Sequence, residues 1–190
     1  MTGARLGDWM ITFTGRRFFP FDPRPAEVSF RDIGHALSLI CRYGGHVKRF
    51  YSVAEHSALL ALYFDRMIGR QDLARYALLH DGPEAYVGDM IRPLKRDMPR
   101  FREIEEKIER AIFHAAGLPG QIPKEVHDAD TAILGDEANT LFRPETLRAA
   151  DWRPWEMASL GVFIEGCQPH DAEQLFARVF KRLFPEVAWV

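Results

Sequence analysis

Cysteine is scarce in this chain. Cys41 and Cys167 are the only two in 190 residues, too few and too far apart for a disulfide framework or a zinc finger. Long apolar runs are missing too. No stretch approaches the roughly 18–20 residues that cross a bilayer, and Met1 to Met10 carries no apolar signal core. A cytoplasmic protein with no membrane partner is expected. Glycine (14) and proline (12) are too sparse for collagen-like or low-complexity sequence. Neither sign of charge dominates: 25 Lys and Arg against 27 Asp and Glu give a formal net charge of −2, which argues against coating nucleic acid through bulk charge. A small basic pocket is still compatible with that balance. What is present is an ordinary globular composition, 47% hydrophobic and 27% charged, at the length of one domain able to bury its own core.

The first residues are the least helical. Trp9–Phe13 and Arg17–Phe21 are β-prone pieces around Thr14-Gly15, and Asp22-Pro-Arg-Pro25 then breaks regular structure. Residues 1–28 are therefore expected to form a short N-terminal hairpin or extended arm. Arg16-Arg17 beside Phe18-Phe19 invites a nucleic-acid reading through stacking, but no other basic cluster supports it, and an arm packed on the rest is preferred. From Ser29 helical periodicity takes over. Ser29 caps a helix with Phe30, Ile33, Leu37 and Ile40 on one face, ending before Gly44-Gly45. Ser52-Val-Ala-Glu55 fits a capping box in which Glu55 reaches back to the cap; its helix carries Val53, Leu60, Phe64 and Met67 inward and closes at Gly69. Further helices are predicted around 72–80, 99–116, 125–142 and 172–183, with Glu103 and Lys107 as a supporting pair. Arg92–Lys95 reads as a loop. The fold class expected is all-α, a single helical domain over 29–190.

Ionisable residues sit on the inward faces of these helices. His56 belongs to the row Val53, His56, Ser57, Leu60, Phe64; His80 follows Leu73, Tyr76 and Ala77, with Asp81 beside it; Asp130 lies among Val126, Ala129, Ile133, Leu134 and Leu141. One inward histidine is usually a hydrogen-bonded core residue. Two imidazoles and two carboxylates from three helices are harder to explain that way, because each buried charge needs a partner. One divalent cation would satisfy all four. The mixed nitrogen and oxygen set suits Mn, Fe, Co, Ni or Zn better than Ca or Mg, and an octahedral ion would keep two positions open. His127-Asp128 falls away from the apolar stripe and reads as surface, His35 and His170 read as surface or capping histidines, and His114 reads as a helix-end charge.

The order His56, His80-Asp81, Asp130 resembles the H…HD…D pattern of the HD-domain metal-dependent phosphohydrolases. Arg42-Tyr43, Ser52-Val-Ala-Glu-His-Ser57, Leu79-His-Asp-Gly-Pro-Glu84, Gly88-Asp89 and Pro93-Leu-Lys95 are similar, in order and spacing, to the bacterial 5′-deoxynucleotidase branch of that family. The similarity runs from about Arg42 to Asn139. It implies an HD-type helical bundle with one divalent transition metal per subunit, held by His56, His80, Asp81 and Asp130. It further implies Glu84 as catalytic acid/base, Arg42 on the phosphate and Asp89 on the sugar. Tyr43 stands where that branch usually has Trp, whose ring crowds the 2′ position of the sugar. The alarmone-hydrolase and cyclic-dinucleotide variants of the motif are not matched.

The residues by themselves support phosphate chemistry. Arg42 offers a permanently charged planar fork of donors; Lys95 is a second cation; His46, four residues after Arg42, could donate to a phosphate or leaving oxygen. Glu84, three residues beyond Asp81, could manage the proton of a metal-bound water or of the leaving 5′-oxygen. The expected activity is removal of phosphate from (deoxy)nucleoside 5′-monophosphates by attack of a metal-bound water. A triphosphohydrolase releasing tripolyphosphate from a dNTP is an alternative, disfavoured by the small number of cations, and a non-catalytic nucleotide-binding module is another. Exposed helical faces make a homodimer the expected assembly.

Overall fold

The computed structural model describes residues 5–190, except for the side chain of Trp155; residues 1–4 of the expected arm lie outside the described residues. The arm opens with an antiparallel pair, β1 (Met10–Ile11) and β2 (Arg17–Phe18), in which Met10 faces Phe18 and Ile11 faces Arg17. The turn between them is pinned to the bundle, because Thr14 donates its backbone N–H and its hydroxyl to the buried Asp32 at 2.7 and 2.9 Å. Phe18 is fully buried, its ring stacked 3.7 Å from that of Tyr86. Arg17 lies over Trp9, and Arg16 donates to the Val28 carbonyl. The aromatic and basic residues of the arm are thus engaged within the chain.

Helix α1 (Phe30–Leu39) begins where expected, with the Ser29 hydroxyl accepting from the Asp32 N–H. It stops earlier than expected. Ile40 turns extended, and the Cys41 strand bridges to Ser52, with Arg42 N–H donating to the Tyr51 carbonyl and Val53 N–H to that of Ile40. Between these rungs Arg42–Gly45 forms a tight 3-10 turn. Helix α2 (Val53–Leu62) is buried nearly all round and packs against α1, α3 (Gln71–Leu79), α7 (Lys124–Leu141) and α9 (Pro169–Leu183). That is the pattern of a central helix, not of an amphipathic one. Its continuation, Tyr63–Ile68, widens into a π-type turn closed by Gly69 at φ +74°, which carries Met67 out to solvent rather than inward.

The capping box is half formed. Ser52 accepts from the Glu55 N–H at 3.1 Å, but the buried Glu55 carboxylate accepts instead from three successive backbone N–H groups of Glu165, Gly166 and Cys167. Two short helices follow the His80-Asp81 corner: α4 (Glu84–Val87) and α5 (Arg92–Arg96), the latter where a loop is expected. Pro at its second position and Lys95 and Arg96 in its last turn suit a single helical turn. Helix α6 (Pro99–Ala116) ends at Gly117 with φ +70° and buries Ile108, Ile112 and Phe113; Glu103 and Lys107 form no ion pair among the described residues. Helix α8 (Pro144–Ala149) follows α7. The architecture is the expected all-α bundle with a small hairpin. Among the described residues no helix is long and apolar enough to cross a membrane.

Candidate active site

Three helices bring four side chains together. His56 sits on the first turns of α2, His80 caps the C-terminus of α3 with Asp81 next to it, and Asp130 lies on α7. His56 Nε2 is 3.4 Å from His80 Nε2 and 3.1 Å from Asp130 Oδ1; Asp81 Oδ2 is 3.2 Å from His80 Nε2 and 3.7 Å from His56 Nε2. His56, His80 and Asp130 each present one donor atom within 4.8 Å of the others. The outer nitrogens are both held: His56 Nδ1 lies 2.6 Å from Glu137 Oε1, and His80 Nδ1 lies 2.8 Å from the Ala77 carbonyl oxygen. Each of those partners only accepts, so each neutral ring keeps its proton on Nδ1 and turns the Nε2 lone pair to the common point.

The pocket draws positive charge. Burial disfavours the charged form of His80, yet Asp81 and Asp130 outweigh burial and raise its pKa well above the ordinary histidine value. A divalent ion at that point would replace the proton and share its charge among all four groups. Two imidazole nitrogens with two carboxylates form a donor set that fits a transition metal.

A cleft of about 540 Å³ opens beside these groups, and Arg42, Tyr43, Glu84, Asp89 and Lys95 line it with Asp81 and Asp130. Glu84, the first residue of α4, is buried, and its Oε2 has no hydrogen-bond partner among the described residues. Burial first, then the nearby Asp81 and Asp89, push its pKa well above the usual carboxylate range. Asp89, after Gly88, is also raised, chiefly by burial. Arg42 donates to Asp81 Oδ2 at 3.3 Å and to Glu137 Oε2 at 3.4 Å, and its Nε is buried without a partner among the described residues. Lys95 pairs with Glu105 at 2.8 Å, and Arg92 pairs with Asp130 at 2.9 Å. Tyr43 adopts φ +58°, a left-handed conformation that costs a non-glycine residue about 1–3 kcal/mol. Its hydroxyl donates to Glu137, and its ring meets Phe142 edge-on at 5.2 Å.

The structure thus brings His56, His80, Asp81 and Asp130 close together, and five of the six other candidates line one cleft beside them. His46 does not. It is exposed at the end of the Arg42–Gly45 turn and is not among the cleft-lining residues. Tyr43 and Gly44 both have positive φ there, so four residues no longer amount to one helical turn and His46 points to no common face with Arg42. His127 and Asp128 are exposed, Asp128 pairing with Lys124. His35 pairs with Glu173 and stacks on Phe13.

Sequence reasoning missed Glu137. It is fully buried and seven residues beyond Asp130, two turns along the same face of α7. That spacing was the available signal. Burial opposes its charge, but Arg42 and His56 draw its pKa down to about 2. Trp152 also lines the cleft, with no sequence pattern to announce it.

Residues 35–152 match the model of the YfbR-like 5′-deoxynucleotidase family, a span that contains every residue of the cleft and the cluster of His56, His80 and Asp130. The chain is 38% identical over 130 residues to the uncharacterized protein YfdR of Escherichia coli, covering 68% of this chain and 70% of that one. It is 38% identical over 144 residues to an uncharacterized protein of Rhodobacter capsulatus, covering 70% of this chain and 72% of that one.

Proposed function

Because the chain belongs to the YfbR-like 5′-deoxynucleotidase family, metal-dependent hydrolases of nucleotide phosphate esters, we propose that it removes phosphate from (deoxy)nucleoside 5′-monophosphates. One observation carries the reading: His56, His80, Asp81 and Asp130 converge beside a cleft that also holds the buried Glu84 and the cation Arg42. These four residues would hold one Mn, Co, Fe, Ni or Zn ion per subunit. Such an ion supplies charge against the phosphate oxygens and makes water a stronger acid.

The chain's own groups supply the rest. Arg42, fixed by Asp81 and Glu137, has an unpaired Nε–H to offer a phosphate oxygen. Glu84, whose carboxyl is biased toward its protonated form by burial and its acidic neighbours, can give its proton to the leaving 5′-oxygen and then act as base. Asp89 can accept from a sugar hydroxyl, and Tyr43 forms the wall against the sugar face. Lys95 adds positive charge to the same cleft. The small number of cations lining the cleft, Arg42, Arg92 and Lys95, favours a monophosphate over a triphosphate. The assembly proposed is a homodimer, for which the exposed Ile11, Phe13 and Leu39, lining one shallow cavity, offer an apolar face.

The test is a screen on protein stripped of metal and reloaded with each divalent ion. Inorganic phosphate should appear from nucleoside 5′-monophosphates, with deoxyribose and ribose forms run in parallel. Tripolyphosphate from a dNTP, with no phosphate from any monophosphate, would reverse the assignment. Sedimentation of the same preparation should give twice the chain mass, and a monomer would remove the dimer.

A further inference from the structure

Glu137 has no exposed surface, and both of its oxygens are taken. Oε1 accepts from His56 Nδ1 at 2.6 Å and from the Tyr51 hydroxyl at 3.0 Å. Oε2 accepts from the Tyr43 hydroxyl and from Arg42 Nη2 at 3.4 Å. Its four partners come from three separate stretches: the Arg42–Gly45 turn, the Tyr51 rung and α2. An interior carboxylate with four donors around it is a hub, and two of its donors, Arg42 and Tyr43, line the cleft while a third is one of the four clustered ligands.

We propose that Glu137 is the positioning residue of this site: one buried carboxylate fixes His56 as an Nε2 donor and at the same time sets Arg42 and Tyr43 in the cleft. The inference rests on the reading of His56 as a metal ligand and Arg42 as a phosphate-binding group. A neutral imidazole has one N–H, and Glu137 can only accept, so the proton stays on Nδ1 and the Nε2 lone pair faces His80 and Asp130. The opposite tautomer would set a lone pair against a buried carboxylate. His80 receives the same service from the Ala77 carbonyl, whereas the carboxylate acceptor makes the His56 ring the stronger donor to a metal. Tyr43 needs the second half of the hub. Its left-handed backbone is held in place by the hydroxyl bond to Glu137 and the contact with Phe142.

The experiment measures the Co²⁺ dissociation constant by competition with a chromophoric chelator, alongside the melting temperature of metal-free protein. Glu137→Ala should weaken Co²⁺ binding about 10–100-fold. Glu137→Gln, whose amide oxygen still accepts from His56 but carries no charge, should lose less and should also raise KM for a nucleoside monophosphate. Tyr51→Phe removes one hydrogen bond from the hub without touching His56 and should leave Co²⁺ affinity within about twofold. If Glu137→Ala fails to fold, Glu137→Gln decides. Glu137→Gln with Co²⁺ affinity and KM both at the parent's values overturns the inference, as does an equal loss of Co²⁺ affinity in Tyr51→Phe. A parent that takes up no ion overturns the metal reading and this inference together; a parent that binds, beside Glu137 variants that bind equally well, overturns this inference alone.

Discussion

Glu84 shows what a single residue gains from its surroundings. Burial and the neighbouring Asp81 and Asp89 disfavour its ionised form, so its folded pKa is raised and the carboxyl is a proton donor below that value. Turnover that depends on the donor should be high at low pH and fall as pH rises through the raised pKa. Glu84→Gln should remove that basic limb from the pH–rate profile and lower kcat about 10²–10⁴-fold, with metal content unchanged. A variant retaining the limb at the same pH would assign it to another group. The clustered residues were legible because each is a polar side chain in an apolar row: His56 among Val53, Leu60 and Phe64, Asp130 among Val126, Ala129 and Ile133. Glu137 obeys the same rule but belongs to no recognisable dipeptide, and α7 carries other acids, Asp128 and Asp136, that face outward or bind elsewhere. His46 misled for the opposite reason, a spacing that has meaning only on a helix.

At the scale of elements, starts were easier to read than ends. Ser29 and Ser52 cap their helices as their positions suggest, since a cap needs only neighbours three residues away. The end of α1 was set by a strand bridge to Ser52, and the use of Glu55 by backbone 110 residues downstream. A carboxylate holding three N–H groups clamps the segment before α9 onto α2, beside His56. Glu55→Ala would leave those donors unpaired and should lower unfolding free energy by about 2–4 kcal/mol in urea titration. Hydrogen exchange should quicken first at residues 165–167. A loss below about 0.5 kcal/mol, with exchange there unchanged, would mean the clamp contributes little.

The whole molecule joins arm and bundle. We propose that residues 1–28 are an arm on the domain of residues 29–190 and that its described part, 5–28, folds with that domain, because Phe18 lies fully buried against Tyr86 and Asp32 holds the turn. Phe18→Ala should therefore cost about 3–5 kcal/mol in denaturant melts, the range for emptying an aromatic core site. Since Tyr86 shares α4 with Glu84, kcat should drop as well. A variant as stable as the parent would mean the arm is dispensable to the fold.

The sequence alone determined the helical class, the helix starts at Ser29 and Ser52 and the inward polar residues of those rows, because periodicity, capping and burial cost are local properties of a chain. Tertiary structure decided which polar residues support that set. Glu137, Arg42 and Tyr43 meet only when a tight turn, a strand rung and two helices pack together, and no spacing along the chain encodes that meeting.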